Sequence, residues 1–90
     1  MANDFTSIPH YIDTAMTAVA PVGRVFVKTI SWSKQAAAGD ALVILDRNGK
    51  EIVNSLASAA DQYQYWPVNT YFDSYQVSTL GSGVVAIYIK

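Results

Sequence analysis

The stretch LDRNGKEIV, Leu45 to Val53, sets an Asn48-Gly49 pair between two apolar runs. Both residues tolerate positive φ, which a type I′ turn requires at its two central positions, and that turn matches the twist of paired antiparallel strands. The stretch therefore predicts a β-hairpin made of residues 41–46 and 50–54, and the rest of the chain can be placed around it.

Upstream, GRVFVKTISWSK (23–34) is rich in β-branched and aromatic residues, which lose rotamer freedom in a helix and fit a pleated surface. It reads as a strand with Phe26, Lys28, Ile30 and Trp32 on one face and Val25, Val27, Thr29 and Ser31 on the other. ALVILD (41–46) is apolar at every position but the last, as in a strand covered on both faces. Downstream, SLASAADQ (55–62) reads as a short helix or an irregular crossover between sheets. In YQYWPV (63–68), Pro67 belongs near a sheet edge or a strand end, because proline cannot donate to a central ladder. YQVSTL and GVVAIYIK flank Gly81-Ser82-Gly83 and read as a second hairpin. In the last strand Val85, Ile87 and Ile89 oppose Val84, Ala86 and Tyr88, so neither face is polar. The segment 8–21 reads as a strand or a short helix bracketed by Pro9 and Pro21.

Short strands separated by turns predict an all-β fold, a compact antiparallel β-sandwich or jelly-roll-like domain of about seven strands. Ninety residues suffice for one core. The expected division is an N-terminal arm or first strand over 1–22 and the sandwich over 23–90. The chain carries 51% hydrophobic and 14% charged residues, against roughly 25% charged in an average soluble domain. A small domain with so little charge is expected to bury surface against copies of itself or partners.

The same composition argues against several chemistries. Net charge is −1, with no basic run to follow a phosphate backbone, so nucleic acid is not an expected partner. No segment approaches the roughly 18 apolar residues of a membrane span, and the N-terminus lacks the basic start of a signal peptide. There is no cysteine, hence no disulfide framework, thiolate site or cysteine nucleophile. His10 is the only histidine and reads as a surface or interface residue; one histidine supplies neither a zinc site nor a triad. DRNGKE (46–51) lacks the ligand spacing of a calcium loop, and Asp40, Asp46 and Asp61 suit turn and capping roles. No catalytic residue, cofactor or metal is expected, and the chain reads as a non-enzyme.

Two residue sets remain as candidates for binding. Phe5, Ile8, Tyr11, Ile12 and Met16 make the N-terminal segment too apolar for a free tail, and they are candidate partner contacts. Tyr65, Trp66, Tyr71 and Phe72 combine apolar bodies with polar tips in three cases, and suit a protein interface or stacking on sugars.

The order RVFVKTISW, AGDALVILDRNGKEI, VSTLGSGVVAIYIK resembles small β-sandwich virion proteins of tailed bacteriophages, of the head-decoration or head-fibre type, over about residues 23–90. The resemblance implies a virion structural protein, made in the host cytoplasm, that docks on a capsid or other virion proteins. It also implies a homo-oligomer, here expected as a trimer, and carries over no catalytic residue. The alternative is a carbohydrate-binding or receptor-binding module that uses exposed aromatics.

Overall fold

A computed structural model describes residues 3–5, 9–20 and 23–90. Seven strands form two antiparallel sheets: β1 (His10–Ile12), β2 (Arg24–Ser33), β3 (Ala41–Leu45), β4 (Glu51–Leu56), β5 (Gln64–Asp73), β6 (Gln76–Leu80) and β7 (Val84–Ile89). The four-stranded sheet runs β1-β7-β2-β5 and the three-stranded sheet β4-β3-β6. The all-β sandwich read from the sequence is the fold observed, with no helix among the described residues.

The strand pairs are nested about the Asn48-Gly49 turn. His10 lies opposite Ile87, Arg24 opposite Asp73, Trp32 opposite Gln64, and Ala41 opposite Leu56. Each pair is centred on Asn48 or half a residue beyond it. Between β1 and β2, the Met16 and Ala20 N–H groups donate to the Val77 and Tyr75 carbonyls, which places residues 13–20 beside β6 in the same nesting. The chain is thus one long hairpin with its apex at residue 48. Rolling that hairpin up inserts β2 between β5 and β7 and β3 between β4 and β6, the arrangement of a jelly roll.

At the apex the turn differs from type I′. Gly49 takes φ 83° but Asn48 is not among the positive-φ residues. The Gly49 N–H donates to the Asp46 carbonyl (3.1 Å) and the Asp46 N–H to the Lys50 carbonyl (2.9 Å). This is a three-residue loop, a type I turn closed by a left-handed glycine. The Asp46 carboxylate explains the wider loop, since its Oδ1 accepts the N–H groups of Asn48 and Lys50, both at 2.9 Å.

Gly81-Ser82-Gly83 is not a hairpin. β6 belongs to the three-stranded sheet and β7 to the four-stranded one, so these residues cross between layers. The crossover is fastened to the 33–40 loop: Ser82 Oγ accepts the Ala36 N–H at 2.8 Å, and the Ser82 carbonyl accepts from Trp32 Nε1 at 2.9 Å. Residues 57–63 form a further irregular crossover, from β4 to β5, and contain no helix.

The faces of β2 also depart from strict alternation. Its register against β7 slips between Val27 and Thr29, leaving Lys28 as an extra residue. Unbroken alternation would place Lys28 in the core with Ile30 and Trp32. The bulge instead turns Val25 and Val27 inward with Ile30 and Trp32, and sends Phe26 and Lys28 outward. The core they join is drawn from both sheets and includes Leu42, Ile44, Val53, Val77, Val85 and Ile87.

Candidate functional site

The N-terminal segment is built into the sandwich. β1 pairs with β7 at one edge, and Asp4 and Tyr11 exchange backbone hydrogen bonds at 2.8 and 2.9 Å. Ile12 is 0% exposed, and Phe5 and Met16 pack against the core. Three of the candidate partner contacts are therefore taken up by the chain's own interior, Ile12 because it shares the inward parity of Val85 and Ile87 across the β1–β7 pair. Tyr11, on the opposite parity, faces outward; Ile8 lies outside the described residues.

His10 is buried inside the sandwich, contrary to the surface or interface position read from the sequence. Its ring Nδ1 lies 2.7 Å from the Tyr75 hydroxyl, and Phe5 meets it edge-on at 5.9 Å. Tyr75 sits at the tight corner between β5 and β6, next to Ser74 at φ 62°, whose Oγ donates to the Ala20 carbonyl at 2.9 Å. The pair thus ties the N-terminal segment to that corner. Burial lowers the His10 pKa below 6.5, with Asp4 pulling weakly the other way, and pushes the Tyr75 hydroxyl up. A neutral imidazole enclosed by aromatic rings and a core hydroxyl is a structural group. Among the described residues no cluster of three potential metal ligands occurs, and no helix is long and apolar enough to cross a membrane.

The aromatics of β5 alternate. Trp66 and Phe72 turn inward against the core, while Tyr65 and Tyr71 stand on the outer face. Tyr63, Tyr88 and Tyr11 stand there too, so five of the six tyrosines share the outer face of the four-stranded sheet. Tyr11, Ala86, Ser31 and Tyr65 are register partners in one row across the sheet. Ala86 and Ser31 point outward yet are buried, as small residues flanked by large rings are. Near the start of β2 the face is closed by its own cations: Arg24 lies 4.9 Å from the Tyr71 ring and Lys90 5.6 Å from the Phe26 ring, itself edge-on to Tyr71. Nearer the middle of β2 it opens into a shallow groove of about 220 Å³ lined by Lys28, Thr29, Tyr63, Tyr65 and Tyr88. Sequence reading missed Lys28, Thr29 and Tyr88. Tyr88 was traceable from its alternation with Ile87 and Ile89, whereas Lys28 reaches this face only through the bulge.

The outer face of the three-stranded sheet is different. Leu42 and Ile44 point into the core, so Ala41, Val43 and Leu45 of the central strand point out, and each is only half-buried. Leu56, opposite Ala41 on β4, is 64% exposed. Asn54 and Thr79 flank Val43 on either side. The strand read as covered on both faces is covered by this chain on one. Comparison with family models, with curated proteins and with solved structures finds no match for this chain.

Proposed function

We propose that the chain is a non-enzymatic structural protein of a virion, a capsid decoration or a head-fibre or tail component. It assembles as a homo-oligomer and docks on other virion subunits through the outer face of its three-stranded sheet. The observation that carries this reading is the outward apolar row Ala41, Val43, Leu45 with Leu56 beside it. An antiparallel sheet with one face in water alternates apolar-in and polar-out, and a central strand apolar on both parities suits a sheet covered by another protein. The virion context rests on the order of strand and turn motifs. The non-enzymatic part is supported by the titratable groups: the single histidine is buried on Tyr75, and Asp46 and Asp40 accept backbone N–H groups in turns.

The test adds folded chain to particles that lack it and measures occupancy. Val43→Glu combined with Leu56→Glu places charges on the half-exposed row without entering the core. It is expected to lower occupancy at least tenfold at equal melting temperature. Wild-type occupancy by the double variant would refute docking through this face.

A further inference from the structure

We propose that the groove on the outer face of the four-stranded sheet binds a carboxylate-bearing saccharide. This site lies on the opposite side of the sandwich from the assembly surface and does not depend on it.

The first argument is the set of polar groups. The lining residues are Lys28, Thr29, Tyr63, Tyr65 and Tyr88. Lysine can only donate hydrogen bonds, and the threonine and tyrosine hydroxyls can all donate. Among the described residues no carboxylate or amide side chain lines the groove, so its hydroxyls are the lining's side-chain acceptors and no anion of the lining answers the Lys28 ammonium. Lys28 has no ion-pair partner among the described residues, and an anionic acceptor complements it best.

The second argument is shape. Tyr63 and Tyr65 lie two residues apart with ring planes 26° from parallel and centroids 6.5 Å apart, forming a broad aromatic platform. Tyr88 faces them across Thr29, its register partner on β2. Aromatic faces with polar tips suit the C–H faces and hydroxyl rims of pyranose rings. The volume falls below the usual range for drug-sized ligands, which fits one unit of a sugar chain lying in an open groove.

The third argument is what the groove lacks. It lies on the sheet face over β2 and β7, not along the free edge of β5, so a peptide added as a strand at that edge would not fill it. A nucleic acid strand would want several cations along its path, and this groove has one. The Lys28 bulge supplies that cation. Bulges re-aim side chains, and this one directs an ammonium onto a face otherwise made of hydroxyls and rings.

The experiment titrates isotopically labelled protein with a trisaccharide of galacturonic acid and, separately, with the neutral galactose trisaccharide, following backbone amide shifts. The acidic sugar is expected to move amides of residues 28–31, 63–65 and 86–88. Lys28→Gln should weaken that binding about tenfold while leaving shifts elsewhere as in wild type. The neutral sugar should bind about tenfold more weakly than the acidic one and be indifferent to Lys28→Gln. Absence of shifts at millimolar acidic sugar, shifts confined to another surface, or equal binding of the two sugars would each overturn the proposal. So would unchanged affinity in Lys28→Gln.

Discussion

Asn48-Gly49 and Gly81-Ser82-Gly83 look alike as sequence, each a glycine turn between apolar runs, yet they do opposite work. The first joins two strands of one sheet. Gly49 takes φ 83° at an exposed tip, with nothing within 4 Å of where a Cβ would stand. The second carries the chain between sheets. Gly83 takes φ 87°, and a Cβ there would collide with the Ser33 carbonyl oxygen and meet Trp32 Nε1 at 3.0 Å. A hairpin turn is set by its own backbone preferences; a crossover is set by the layers it must pass between. That difference separates what a local motif can announce from what only packing decides.

Substitutions at the two glycines sharpen the contrast, and the largest effect is expected at the crossover. Gly83→Ala adds the strain of positive φ to a collision with backbone that cannot rotate away, together roughly 3 kcal/mol or more. Chemical denaturation should show that loss, accompanied by a change in Trp32 fluorescence because its indole N–H bonds the Ser82 carbonyl. Gly49→Val meets no neighbour and should lose only the conformational term, roughly 1 to 3 kcal/mol, with Lys50→Ala near neutral as the control. If Gly49→Val proved the costlier of the two, the crossover assignment would fail.

A smaller effect distinguishes the corner that Tyr75 makes from both turns. Folding holds His10 neutral, so the unfolded chain binds the proton more readily. Stability is then fullest above the unfolded value of 6.5, declines as pH falls from there towards the lower folded pKa, and levels off below it. Asp4, the charged neighbour, moderates this shift without reversing it. Denaturation midpoints measured across this window should show the decline in wild type and lose its histidine component in His10→Gln. An increase in stability on acidification through the window would contradict the burial of His10.

These cases also show how far the sequence can be read. The β3–β4 hairpin was legible because Asn48-Gly49 acts locally, although the choice between two loop types depended on Asp46 folding its carboxylate back onto the turn. Pro67 was legible as an edge residue, and β5 is an edge strand. The second hairpin was misread because strand, glycines, strand describes a crossover equally well. The faces of β2 were misread because alternation cannot say where a bulge falls, and this bulge is placed by the cost of putting Lys28 in the core. His10 looked like a surface group because polarity was weighed without its partner, which lies 65 residues away at Tyr75. The tyrosine face was half visible. Alternation along β5 and β7 separates Tyr65 from Trp66 and Tyr88 from Ile87, but only the sheet order brings β5, β2 and β7 side by side.

The two outer faces of the sandwich divide the proposed roles, with assembly assigned to the aliphatic row of the three-stranded sheet. Sedimentation equilibrium of the wild-type chain beside Val43→Glu/Leu56→Glu, from low to high micromolar concentration, tests that assignment most directly. The account predicts concentration-dependent association of the wild type towards a small closed oligomer, expected as a trimer, and a monomer for the double variant with an unchanged melting temperature. A wild type that stays monomeric throughout, or a double variant that associates as the wild type does, would contradict it.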